Sequence, residues 1–167
     1  MCRYVVVPIP CGSAGLVATA RGLSNLILTN RTGGQARAFL CRRFPDAMHQ
    51  PDLLAPLQRQ LHDYFAGTRV RFRAKLDLSS LTPFQRGVLA ACGQIGYGET
   101  ATYGELARRI GRPGAARAVG GALARNPVPL VVPCHRVVAG DGSLGGFSAE
   151  HGVTLKRWLL ELETSPA

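Results

Sequence analysis

Cys134 and His135 stand side by side at the end of Asn126-Pro-Val-Pro-Leu-Val-Val-Pro-Cys-His-Arg136, where Pro133 stops the apolar run Leu130 to Val132. A thiol becomes a strong nucleophile only when deprotonated, and an imidazole is the usual base for that step. The pair alone is a modest signal, because most cysteines are small core residues and most histidines are bystanders. On a regular strand the two side chains would point to opposite faces, so adjacency in sequence does not imply a direct hydrogen bond between them. A catalytic base normally has a third group orienting it. Glu163 is the candidate, four residues after Leu159 at the edge of the apolar stripe Leu155, Trp158, Leu159, Leu162 of a helix expected over 154–163. On spacing alone, a solvated glutamate near the chain end stays open.

The stretch before the pair must position it. From Leu106 to Arg136 there are six arginines (108, 109, 112, 117, 125, 136) and no Asp or Glu, the composition of a surface facing a polyanion. Thr102 as N-cap with Glu105 three residues on predicts a helix to Ile110. Gly111-Arg-Pro-Gly turns the chain, and a second short helix is expected over 115–125, together a helix-turn-helix. That second helix is made of Ala115, Ala116, Ala118, Gly120, Gly121, Ala122 and Ala124, with Arg117 as its long side chain. Two glycines cost a helix roughly 2 kcal/mol relative to alanine. Such a small surface suits close approach to a minor groove with one inserted arginine, or else tight packing on a core. The first reading places Arg117, Ala116, Ala118, Gly120, Gly121, Arg125 and Arg136 at DNA.

Composition agrees. The 167 residues suit one domain or two small ones, and the formal net charge is +10, carried by arginine apart from Lys75 and Lys156. Five cysteines at irregular spacing are not a disulfide framework, which points to a reducing cytoplasm. No cysteine/histidine set has zinc spacing, and Asp141-Gly-Ser-Leu-Gly-Gly-Phe-Ser148 matches neither a P-loop nor a dinucleotide fingerprint, so no metal and no cofactor is expected. The first apolar run is too short for a signal peptide or a membrane span. Residues 4–9, 16–20 and 23–29 read as three strands of an antiparallel meander, followed by helices over 35–44 and from near Pro51 to Gly67. A domain link is placed at 74–81, then a helix capped by Thr82 with Pro83 in its first turn, on whose stripe Cys92 is a packed thiol. Nothing in residues 1–75 converges on chemistry. The expected organisation is α/β, with an N-terminal domain over 1–76 and a DNA-binding domain over 77–167.

Pro133-Cys-His-Arg136, preceded by Arg117-Ala-Val-Gly-Gly121 and Asn126-Pro-Val-Pro129, resembles the O6-alkylguanine-DNA alkyltransferases, or methylated-DNA–protein-cysteine methyltransferases. So do Phe84-Gln-Arg86, Tyr97-Gly-Glu-Thr100, Tyr103-Gly-Glu-Leu-Ala107, and Lys156 with Leu159-Leu-Glu-Leu-Glu163. The likeness is dense from about residue 76 to 163 and loose before it. It implies a ribonuclease-H-like N-terminal domain and a helical winged-helix-like C-terminal domain. It also implies direct-reversal DNA repair, by a monomer acting on double-stranded DNA containing O6-alkylguanine. Cys134 would accept the alkyl group irreversibly in a single turnover, His135 would deprotonate it, and Glu163 would orient His135. Tyr103 would hydrogen-bond the flipped base, Arg117 would fill the gap left in the stack, and Asn126 would brace the link from recognition helix to cysteine. Val137, Gly145, Phe147 and Ser148 match positions lining the base pocket. Phe147 stands where some members have tyrosine, Gly96 where proline is common, and Leu89 where tryptophan is common. Two other classes are weighed beside this one: a non-catalytic helix-turn-helix lesion sensor, which the intact Cys134-His135 pair disfavours, and a Cys-His hydrolase, for which no oxyanion loop is evident.

Overall fold

The computed structural model describes residues 1–147, 149–150 and 152–165, which divide into two compact units, Met1–Leu78 and Ser79–Ala167. In the first, β1 (Cys2–Ile9), β2 (Gly12–Thr19) and β3 (Gly22–Thr29) form the expected antiparallel meander. Its turns require Gly12 and Gly22, at φ +132° and +137°: a Cβ there would lie 2.2 Å from Thr29 O or 2.3 Å from Lys75 O. Helix α1 (Gly33–Arg43) buries Ala36 and Leu40, the latter against Gly15 of β2. A short strand absent from the sequence reading, β4 (Ala47–His49), then pairs parallel with Cys2–Tyr4 and makes the sheet mixed, in the order β3-β2-β1-β4. At three partly exposed residues it has no apolar alternation to announce it.

Helix α2 (Ala55–Phe65) starts later than the sequence suggests. Residues 51–54 are turns, Leu54 is left-handed at φ 53°, and Pro56 rather than Pro51 occupies the first helical turn. Gln58 holds this lead-in by donating to Pro51 O and Leu53 O, both at 2.8 Å. Leu57, Leu61 and Tyr64 are buried as expected. The unit closes where Leu76 bridges Leu23 and Asp77 accepts from Thr19 and Arg21.

The second unit opens with α3 (Pro83–Cys92) and continues with α4 (Tyr103–Arg109), each begun by a complete capping box, Thr82 with Gln85 and Thr102 with Glu105. Gly111, at φ +71°, turns the chain toward α5 (Ala116–Ala124), which packs on both α3 and α4 through Val119, Ala122 and Leu123. A two-residue parallel pair, β5 (Ala101–Thr102) and β6 (Val137–Val138), sets the start of α4 beside the segment that follows the Cys-His pair. Helix α6 (Gly152–Thr164) closes the unit. Among the described residues no helix is long and apolar enough to cross a membrane.

Candidate active site

Between α5 and β6 the chain makes a tight reversal pinned by one side chain. Asn126 donates to Val132 O at 2.9 Å and accepts from Val128 N at 3.0 Å, closing a loop in which buried Leu130 is held at φ 70°. A leucine in the left-handed region is strained, and the staple is what holds it there. Beyond Pro133, Cys134–Arg136 form one turn of 3₁₀-helix, with Cys134 N on Val132 O and Arg136 N on Pro133 O. The pair therefore does not sit on a regular strand. In a turn this tight, consecutive side chains fan around an axis instead of alternating across a sheet.

All three side chains of the turn are buried, and two of them meet Glu163 of α6. His135 Nε2 lies 2.7 Å from Glu163 Oε1, while Arg136 donates through Nε to Oε2 at 2.9 Å and through Nη2 to Oε1 at 3.0 Å. Gly98 N adds a fourth bond at 3.2 Å, and Arg136 Nη1 reaches Ile95 O. Burial alone would raise the Glu163 carboxyl, but hydrogen bonds from His135 and Arg136, and their charges, outweigh it and hold it at about 2. An ionised carboxylate only accepts, so Nε2 carries the imidazole proton. Arg136 already balances the carboxylate, and burial lowers the His135 pKa, so the ring is a neutral base. Its Nδ1 is buried with no partner among the described residues.

The Cys134 thiol is pushed up by burial, against which work a hydrogen bond from Asn126 and the charge of Lys156. Lys156 is the residue whose role the sequence reading left undrawn. It is fully buried, its Nζ donates to Val137 O and Gly146 O, and burial lowers its pKa. It lies seven residues before Glu163, on the same helix face, so the spacing that placed Glu163 at the stripe edge also placed Lys156 there. The stripe itself is shifted: Leu155, Lys156, Leu159 and Glu163 are buried, and Trp158 and Leu162 flank them.

Cys134 opens on a cavity of about 210 Å³ lined also by Gly120, Leu123, Ala124, Gly146 and Phe147. Tyr103, the first residue of α4, borders it: its ring faces Gly120, and its hydroxyl would lie 2.7 Å from a Cβ at Gly145. Gly145 is therefore confined to glycine, by that contact and by φ +69°. Burial, then the nearness of Cys134, pushes the Tyr103 phenol up, so it is a hydrogen-bond donor at neutral pH. Val137 is buried beneath and contributes its carbonyl to Lys156. Ser148 lies outside the described residues. Cys92 is a packed thiol, pushed up by burial.

On α5, Arg117 and Ala118 are exposed, Ala116, Gly120 and Gly121 half-buried, and Arg125 is exposed with its guanidinium over Gly121 O. Arg136 is the exception to the DNA-facing set. It is 6% exposed and committed to Glu163 and Ile95, so its guanidinium is unavailable to a phosphate. Counting arginines along the chain could not distinguish a surface charge from the counterion of a buried carboxylate.

Residues 83–165 match the family model described as 6-O-methylguanine DNA methyltransferase, DNA binding domain. The methylated-DNA–protein-cysteine methyltransferase of Mycobacterium tuberculosis H37Rv is 41% identical over 167 residues, covering 100% of this chain and 95% of that protein. That of Methanosarcina barkeri is 38% identical over 160 residues, covering 96% of each. Among solved structures, Mycobacterium tuberculosis OGT in complex with DNA superposes with a TM-score of 0.83 at 39% identity, covering 99% of this chain and 96% of that one.

Proposed function

Because the chain belongs to the methylated-DNA–protein-cysteine methyltransferases, we propose that it repairs O6-alkylguanine in double-stranded DNA by taking the alkyl group onto Cys134, once per molecule. One observation carries the reading: a buried sulfur opening on a cavity beside α5, followed in the chain by a neutral imidazole that is backed by a carboxylate. His135 Nδ1 takes the thiol proton through a bridging water, while Glu163 stabilises the resulting imidazolium and Arg136 keeps Glu163 ionised. The thiolate displaces guanine at the alkyl carbon; the C–O6 bond breaks as the S–C bond forms. The proton lost from sulfur ends on the released guanine, whose developing charge Tyr103 steadies by hydrogen bonding. A thioether has no route back to thiol here, hence the single turnover.

The target atom is reached only if the nucleotide leaves the stack. The shallow surface of Ala116, Ala118, Gly120 and Gly121 approaches the minor groove, Arg117 fills the vacated place, and Arg125 neutralises phosphate. The base then contacts Tyr103, Gly145, Phe147, Ser148 and the backbone near Val137. In this reading residues 1–76 are a ribonuclease-H-like domain, residues 77–167 a winged-helix-like one with α4 and α5 as a helix-turn-helix, and the protein is a cytoplasmic monomer. A bound lesion sensor without transfer is disfavoured by the intact sulfur and base. The deciding experiment is incubation with a duplex carrying O6-methylguanine. Intact-mass analysis should show one added methyl, mapped to Cys134 and absent from Cys134→Ala; transfer that persists in that variant sinks the proposal.

A further inference from the structure

The first unit has a cavity of its own, of about 290 Å³, at the N-terminal end of α1. Four kinds of donor converge on it. The amides of Gln35 and Ala36 both bond Thr32 O, which leaves those of Gly33 and Gly34, the first two of the helix, without an intrahelical partner. Thr32 makes no side-chain cap and the first turn holds no acid, so the helix itself supplies nothing to neutralise this positive end. Arg37 and His49 line the same cavity, and Tyr4 braces both: its hydroxyl accepts from Arg37 Nε at 3.2 Å and its ring packs against that of His49 at a 51° tilt, 5.3 Å between centroids. That leaves the terminal nitrogens of Arg37 without a partner among the described residues. The fourth donor is Ser13. It is 1% exposed, lines the cavity, and makes no side-chain hydrogen bond among the described residues. Its hydroxyl is thus left to bond what enters the cavity.

Arg37 is the arginine among the residues lining the cavity, and no Asp or Glu is among them. Helix amides, a guanidinium fork and a hydroxyl around one small space are the donor set for a tetrahedral oxyanion. We propose that this cavity binds the phosphate group of a small molecule, separately from the alkyl-acceptor site. The same chemistry could come from the phosphodiester of a duplex, and the experiment separates the two sources.

The test uses the full chain in amide-resolved NMR, titrated with inorganic phosphate against chloride at matched ionic strength. Saturable shifts of the Gly33 and Gly34 amides are expected with phosphate and not with chloride. Arg37→Gln should weaken binding about tenfold and Ser13→Ala a few-fold, each removing a charge-assisted or buried donor. Cys134→Ala should bind phosphate as the unaltered chain does. Absence of saturation, or unchanged affinity in both the Arg37 and the Ser13 variants, overturns the proposal. So does movement of these amides by an undamaged duplex but not by inorganic phosphate, which would assign the site to DNA.

Discussion

The two units have cores of similar apolar make-up but treat charge in opposite ways. Met1–Leu78 buries Ser13, Thr29 and one carboxylate, Asp77, which lies at the rim and shares its charge with the exposed Arg21. Ser79–Ala167 buries Asn126, His135, Arg136, Lys156 and Glu163, each bonded to or acting on the turn that carries Cys134 and His135 or the loop leading into it. Taking charges out of water is costly, and hydrophobic replacements of a buried ion pair are often as stable. A fold that needed only stability would resemble the first unit. The second gives up stability to fix one imidazole as a neutral base and one thiol at the wall of a cavity, and that contrast separates scaffold from chemistry.

The comparison can be broken most forcefully at the two carboxylates. Glu163→Gln leaves Arg136 buried without its counter-charge and should cost on the order of 3–5 kcal/mol in urea unfolding. It should also slow methyl transfer under conditions where the variant is still folded. Asp77→Asn should cost about 1–2 kcal/mol and leave transfer per folded molecule unchanged. Equal stability losses, or transfer loss in both, would erase the distinction between the units. A smaller effect is expected at Arg117→Ala: duplex repair slowed by about tenfold or more, while reaction with free O6-benzylguanine stays within about twofold. Equal loss on both substrates would mean that this arginine does not act on the stack.

Acid titration sharpens the same contrast more gently. His135 is held below its ordinary 6.5, so under that pH the unfolded chain takes up its proton first and stability falls as pH drops. Glu163 is held at about 2 against an ordinary 4.5, so its contribution is complete above pH 4.5 and lost as pH falls from there toward 2. Both groups lie in the second unit. Unfolding followed at several pH values should show a loss beginning below pH 6.5 that His135→Gln reduces; no change between pH 7 and 5 would contradict a neutral buried ring.

What could be read in advance was whatever local chemistry decides. Thr82 and Thr102 announce their helices because a cap is a matter of three-residue spacing, and the meander follows from its glycine turns. Glu163 could be proposed as a partner because helical periodicity put it at the edge of a stripe. Arg136 reads as a DNA contact in the sequence because its direction depends on a 3₁₀ turn that neither spacing nor charge reveals. Lys156 carries no signal of its burial because a lysine at a stripe edge ordinarily reaches out to water. β4 leaves no mark in the sequence because its order comes from pairing with β1, not from its own residues. The set of donors around Ser13 exists only once β2, α1 and β4 are assembled.

Helix α5 carries a last consequence. With Gly120 and Gly121 in nine residues, its intrinsic tendency is toward coil, and α3 and α4 supply the contacts that give it shape. A peptide spanning 116–124 should show no helical circular dichroism in water. Whatever loosens α3 or α4, including substitutions remote from any nucleic acid, should therefore register as altered recognition before it registers as unfolding.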